Sequence, residues 1–401
     1  RLTSATAFDE IKAVDTQGES LLVKVHKEVK TVSDLPLVCQ DLFKVKVVGA
    51  GDDGSQLDDF YVEFKGDASG VFGPGKWVES VPFSSQNRIL KTTMPHQLVR
   101  KQDDASGTVT GVPKSKYFEW SPITWVDRLL GDDASNPFPS VVGKVVEDVF
   151  FWRGRLGFIT PDTVVLSEAA RYFNLFRTTT LSLVEADPID IVLNNSKVSL
   201  LEHAVPWDQR LMVFSDRTVF ETGTGRQQAL TPQTYSGSPR LEYENSRLAR
   251  PVPTGRGLFF AYPRGDFSGL REVLAPVDLD VFQSVDVSEQ VPSYVLGQVR
   301  EMAASPLENV IVLRTDEDPS NLYVYKYADG GDGRREQSAW ARWRLGAGAA
   351  VRFCGWIEST LVLLVERAGK LNLETMKVSN GLTDPGSGFV TRLDRRVPES
   401  Q

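Results

Sequence analysis

Three short stretches hold the residue types and spacings that chemistry uses. In "GVFGPGKW" (70–77), Gly70, Gly75 and Lys76 stand at the spacing of a phosphate-binding loop: Gly, four residues, Gly-Lys. The next residue is Trp77, where a Ser or Thr hydroxyl must reach magnesium. "WVESVPF" then continues without helical character, so no helix N-terminus faces a phosphate. Pro74 also removes a backbone donor. The stretch reads as a glycine-rich hairpin turn. In "EADPIDI", Glu185, Asp187 and Asp190 could form the carboxylate pair of a glycosidase. Asp-Pro followed by the alternating "IDIV" reads instead as a turn entering a strand. The third stretch is acidic: Asp52, Asp53, Asp58 and Asp59 lie between two alternating runs, "FKVKV" and "FYVEF". Their spacing is not that of a calcium loop, so they read as the solvated tip of a hairpin.

The rest of the inventory excludes more than it offers. His26, His96 and His203 are scattered, none in an H-E-x-x-H spacing, and the chain has only two cysteines, Cys39 and Cys354. Cys354 lies in the apolar run "VRFCGW" and reads as a buried small hydrophobe. There is no G-x-S-x-G elbow, no sialidase-type Asp box and no WD or kelch signature. No catalytic, cofactor-binding or metal-binding residue is assigned. With 45 Lys plus Arg against 53 Asp plus Glu, the net charge of −8 argues against a dedicated DNA-binding surface. No apolar run approaches the ~18 residues that span a bilayer. The chain opens on Arg1 with no signal-peptide core, which reads as part of a longer protein.

Aromatic residues concentrate in "DVFFWRGRLGF" (148–158), followed by Tyr172, Phe173 and Phe176. Base or sugar stacking is conceivable chemistry for them, but stacking on single strands needs a basic groove, and only Arg153 and Arg155 flank the turn. Alternation puts Phe150 and Trp152 on one face of a strand and Phe151 on the other. That pattern predicts a strand covered on both sides, with the aromatics in a core. Gly154 is expected at the turn, and Arg153 and Arg155 are the candidate subunit-contact residues.

The elements that must position these residues are short strands. From about residue 140, "RLGF", "RLMVF", "GLFF", "NVIVL" and "TLVLL" are each an apolar strand entered through a polar or glycine turn. Aligning Leu156, Leu211, Leu258, Val310 and Leu361 gives intervals of 55, 47, 52 and 51 residues by subtraction. A strand-like run precedes each, and further turns and strands follow. Units of three or four short strands recurring near 50 residues predict propeller blades, which bury their faces only by stacking. The expected architecture is mainly β: a β-propeller-like domain of about five or six blades over 141–380 and a smaller β-rich module over 1–140. Residues 381–401 are expected to form a connecting segment. The module includes the acidic hairpin, a short helix near "TMPHQLVRK" and an exposed loop at 102–115.

"TMPHQLVR", "FEWSP", "NPFPSVVG", "DVFFWRGRLGF", "LSEAARYFNLF", "DPIDI", "AVPW", "ARPVPTGRGLFFAYPR" and "QSAWARWRLG" occur in that order between residues 93 and 346. They resemble the tail nozzle family of short-tailed bacteriophages, also called tail tubular protein B, and match its central portion. The likeness runs from about residue 35 onward and departs mainly in residues 1–34 and around "SGTVTGVPK". It implies a structural virion protein made in the bacterial host cytoplasm, not an enzyme, with no cofactor and no membrane insertion of this segment. Such subunits form a homo-hexameric ring below the tail adapter ring, conduct double-stranded DNA without binding it specifically, and carry tail fibres near the junction. Residues 1–70 hold 13 carboxylates against 8 Lys plus Arg. The loop of Asp52, Asp53, Asp58 and Asp59 is therefore expected to face the lumen or its distal opening. The alternative from a different class is a carbohydrate-binding or glycoside-hydrolysing β-propeller.

Overall fold

The computed structural model describes residues 26–48, 59–83, 85–102, 116–193, 199–224, 229–274, 282–330 and 335–378. The regular elements of the described residues are strands, apart from one 3-10 turn at Val32–Asp34. From residue 148 it forms five successive antiparallel meanders, in which each strand pairs with the one before it in sequence. The first sheet runs Asp148–Trp152, Arg155–Ile159, Thr163–Leu166 and Ile189–Val192, and the second Leu201–Trp207, Arg210–Ser215, Val219–Gly223 and Ser236–Leu241. The third is Val252–Thr254, Gly257–Arg264, Phe267–Leu274 and Gln283–Asp286, with Val295–Leu296 added beside Phe267. The fourth is Val299–Ser305, Val310–Thr315, Asn321–Asp329 and Arg335–Arg344, and the fifth Ala349–Ile357, Thr360–Arg367 and Lys370–Lys377. All five aligned apolar runs are second strands of their sheets, so the ~50-residue repeat is the repeat of the meander.

Local chemistry sets the hairpins. Arg153 and Gly154 both have positive φ (45° and 71°), the two-residue turn whose twist matches that of the strands it joins. Asp208 and Gln209 repeat it at 45° and 64° between the first two strands of the second sheet. First strands of consecutive sheets lie side by side, Asp148–Trp152 beside Leu201–Trp207 and so on to Val299–Ser305 beside Ala349–Ile357.

Alternation along the second strands then builds the core between sheets. Leu211 and Val213 pack with Phe150, Trp152 and Ile159 of the first sheet. Their neighbours Met212 and Phe214 pack with Leu258 and Phe260 of the third. Phe259 and Ala261 meet Ile311 and Leu313 of the fourth, and Val310 and Val312 meet Leu361 and Leu363 of the fifth. Fully burying each of the larger of these side chains contributes about 1.5–3 kcal/mol. Cys354 is buried in the last of these clusters.

Ahead of the meanders stands a five-stranded sheet in the order Glu28–Val29, Lys44–Val47, Phe60–Gly66, Phe72–Ser80, Val38–Gln40. Of the glycines of "GVFGPGKW" only Gly70 lies in the turn, with positive φ (74°). Gly73 and Gly75 lie inside the strand Phe72–Ser80, where Gly75 faces Gly66. A Cβ on Gly75 would come 2.3 Å from the Lys65 carbonyl oxygen, so close backbone approach is what requires glycine there. The segment near "TMPHQLVRK" is not a helix but the strand His96–Gln102, paired in register with Lys116–Pro122. Its residues do not alternate with period two, so the pairing partner and not a local pattern makes it a strand.

Residues between 94 and 141 also close one end of the row of sheets. Met94, Ile123, Trp125 and Val141 form a cluster over Phe158 and Val165, the side chains of the first sheet that face away from the second.

Candidate functional surface

The first hairpin places its two arginines in opposite environments. Arg153, exposed at the turn, lies over the Trp152 ring at 5.0 Å and donates to Thr224 Oγ1 (3.2 Å) and the Gln209 carbonyl (3.0 Å). It links the first hairpin to the corresponding hairpin of the second sheet. Arg155 was expected at a subunit contact, but it is 1% exposed. Its Nη1 donates to the carbonyls of Ser167 (2.8 Å), Ala186 (3.2 Å) and Asp187 (2.7 Å), and Nη2 to those of Glu185 (2.9 Å) and Leu230 (3.2 Å). Burial lowers its pKa, and the charges of Asp187 and Glu168 oppose that shift. A guanidinium has five N–H donors in a fixed fork, which suits it to gather carbonyls from converging loops. Arg155 is therefore an internal staple.

The aromatics divide in the same way. Phe150, Trp152 and Phe158 are buried, as expected. Phe151 is not covered: it is half exposed and packs edge-on against Tyr172, with ring centroids 4.9 Å apart. Alternation assigned its face correctly, but that face of the first strand has no neighbouring sheet over it.

Of the acidic loop, Asp52, Asp53 and Asp58 lie outside the described residues. Asp59, at its base, is 6% exposed, and its Oδ2 is 2.5 Å from Lys46 Nζ. The hydrogen bond to Asp59 is the main reason the Lys46 pKa is raised. Asp59 therefore holds the hairpin stem and does not project from the tip.

Two of the three carboxylates of "EADPIDI" bond to backbone, while Glu185 is exposed. Asp187 Oδ2 accepts from the Val184 backbone N–H (2.8 Å), and Asp190 Oδ2 accepts from that of Ser140 (2.7 Å). Asp190 borders a cavity of about 280 Å³ with Asn136, Arg177 and Leu183. A larger cavity, about 480 Å³, opens between the third and fourth sheets beside Trp340, Val285 and Val291. Three of its charged groups are bound to one another: Arg335 Nη2 donates to both oxygens of Glu272 (2.7 and 2.9 Å) and Nε to Asp329 (2.6 Å). Among the described residues, no group of three or more His, Cys, Asp or Glu is arranged to hold a metal, and no helix is long and apolar enough to cross a membrane.

Sequence reasoning passed over one buried acid. Glu202, on the first strand of the second sheet, is enclosed beside Asn245, with Arg247 Nε 2.9 Å from Oε1. Neither carboxylate oxygen makes a well-directed hydrogen bond. Burial pushes its pKa up to about 7 against the pull of Arg247. No period-two pattern flags it, because Glu202 sits at a register shift between Leu201 and His203.

The fold thus defines a class: a modular β scaffold whose polar groups are mostly spent on holding sheets and loops together. The whole chain, residues 1–401, matches the family model described as bacteriophage nozzle protein, and the chain belongs to that family. It is 30% identical over 397 residues to the tail tubular protein gp12 of Escherichia phage T7, covering 98% of this chain and 47% of that protein. It therefore spans about half the length of the relative it matches. Among solved structures, Hsv2p of Kluyveromyces lactis aligns at 9% identity over 59% of this chain and 62% of that one, with a TM-score of 0.37. A chain of the mitotic checkpoint complex aligns at 13% identity over 94% and 99%, with a TM-score of 0.34. Both scores lie below the level at which a shared fold follows.

Proposed function

We propose that this chain is a structural subunit of a phage tail nozzle. In this reading copies assemble as a homo-hexameric ring in the virion, with the five meanders as blades of a propeller-like body. The whole-chain match to the nozzle family carries the reading. The use made of two of the candidate glycosidase carboxylates supports it: Asp187 and Asp190 both accept from backbone N–H groups. The ring conducts double-stranded DNA, meets an adapter ring above and carries tail fibres near that junction.

The charge fits a conduit. Each phosphate ion pair formed with a wall would have to be broken at the next step, and an acidic excess keeps the duplex mobile. The proposal puts the loop of Asp52, Asp53 and Asp58 at the lumen or its distal opening, with Asp59 anchoring the stem. Arg153, and not Arg155, remains the candidate at a subunit contact.

Electron microscopy of the purified protein tests this reading. Six-fold rings with the acidic loop toward an open channel are expected. A loop on the outer wall would remove the lumen assignment. A monomer that shortens a bacterial polysaccharide, and stops doing so as Asp187→Asn or Asp190→Asn, would overturn the nozzle reading in favour of a carbohydrate-active propeller.

A further inference from the structure

Two apolar faces of the described chain lack intramolecular cover. The first belongs to the two-stranded ribbon His96–Gln102 and Lys116–Pro122. Leu98 stands opposite Trp120 and Arg100 opposite Phe118, so these side chains share one face. The His96 ring stacks on Trp120 at 5.6 Å. Phe118 and Trp120 are 64% and 67% exposed, and Leu98 is 58% exposed. An isolated two-stranded ribbon is marginal in water, so this one gains most from an external surface.

The second face is on the fifth sheet. Phe353, Leu364 and Leu373 form one row across its three strands, with Val362 in the next row. Ile357 is 65% and Leu373 73% exposed, and Phe353 and Leu371 are also open. In each of the first four sheets, the face turned toward the C-terminus is covered by the sheet that follows. The fifth presents the same chemistry uncovered. The two patches belong to opposite ends of the row, because Met94 and Ile123, which flank the ribbon, are fixed over the first sheet.

We propose that the ribbon face of one copy lies on the fifth-sheet face of the next. The inference rests on the ring reading above and names the surfaces that make the ring. A second copy is the occupant because one chain carries both patches, and both are flat β surfaces of the kind that pack face to face ~10 Å apart. Each supplies roughly 300–400 Å² of apolar surface, at about 100 Å² per half-exposed large side chain. That is the size at which exposed patches mark interaction sites. It also forms the apolar centre of the ~800 Å² per partner that a stable interface buries, the rest being polar rim. Two unlike patches on one chain make a head-to-tail contact, which repeats until the rotation closes a ring.

The test uses the 401-residue chain and two variants: Phe118→Glu with Trp120→Glu on the ribbon, and Ile357→Glu with Leu373→Glu on the fifth sheet. Circular dichroism and thermal midpoint confirm folding, and mass photometry reads assembly. The unmodified chain should form rings, and each variant should be monomeric, with self-association weakened about 100-fold or more. An equimolar mixture of the two variants has one intact junction per pair and should stop at a dimer. Independently of these charges, Trp120→Cys with Leu373→Cys should give oxidant-dependent intermolecular disulfides, since Cys39 and Cys354 are buried. Rings that persist in both variants would overturn the surfaces named here and leave the ring reading intact. A variant mixture that fails to dimerise, or disulfides only within one chain, would overturn the pairing. A purely monomeric unmodified chain would overturn both.

Discussion

The second and fifth sheets are built from nearly interchangeable strands, "RLMVF" and "TLVLL", yet they end in different physical situations. In the second, Leu211 and Val213 face the first sheet and Met212 and Phe214 the third, and all four are fully buried. In the fifth, Leu361, Leu363 and Val365 are buried against the fourth sheet, while Val362 and Leu364 on the opposite face are half open. The same alternating strand is thus core on two faces or on one, depending on its place in the row. Membership of a stack, more than strand composition, sets how much each residue contributes to stability.

The largest effects that could break this comparison lie between covered sheets. Phe214→Ala removes a ring enclosed by two sheets and should cost about 3–5 kcal/mol in urea unfolding. Arg155→Met strands five carbonyls around a lost guanidinium and should cost a similar ~3–5 kcal/mol, whereas Arg153→Met at the adjacent turn should cost under about 1 kcal/mol. Equal losses for the two arginines would refute their division into staple and surface.

A smaller effect reads the covered region through pH. Glu202 has its carboxyl raised from 4.5 to about 7 in the fold. Its neutral form is the one the fold tolerates, so stability should be highest below about pH 4.5 as far as this group is concerned. It should decline as pH rises to about 7 and be flat above. The span is about 3 kcal/mol by linkage and should be missing in Glu202→Gln, compared by urea midpoints at pH 5 and pH 8. An unchanged pH slope in that variant would show that Glu202 is not the group responsible.

Gly157→Ala tests packing inside the first sheet. The added Cβ would meet the Phe150 ring at 2.2 Å, and a loss of about 1–3 kcal/mol is expected from thermal unfolding. The smallest effect belongs to the uncovered face: Leu373→Ser should change the stability of the isolated monomer by under about 0.5 kcal/mol. A loss as large as that of Phe214→Ala would mean the fifth sheet is covered within one molecule, and the contrast would collapse.

Much of this was legible in the residues. The five aligned strands, the positive-φ turn at Gly154 and the burial of Phe150, Trp152, Phe158 and Cys354 follow from period-two alternation and turn chemistry. The nozzle resemblance also rested on ordered blocks that the residues alone supply. What failed were readings that needed a neighbour to be known. "TMPHQLVRK" became a strand because Lys116–Pro122, some twenty residues on, offered a pairing edge. Gly73 and Gly75 fell inside a strand because the turn closed earlier, at Gly70. Arg155 looked like a surface charge because local sequence does not record that five carbonyls converge on it from residues 167 to 230.

The sequence by itself determined the period and the alternation, hence which residues could share a face and where each meander turns. Side-chain direction along a strand is a local property of the backbone, so it can be read locally. Only the tertiary structure decided which faces are covered, because coverage depends on what stacks there. That is why Phe214 is enclosed while Leu364, on an equally apolar strand, is left half open. It is also why two arginines of one hairpin, Arg155 and Arg153, serve as an internal staple and a surface link.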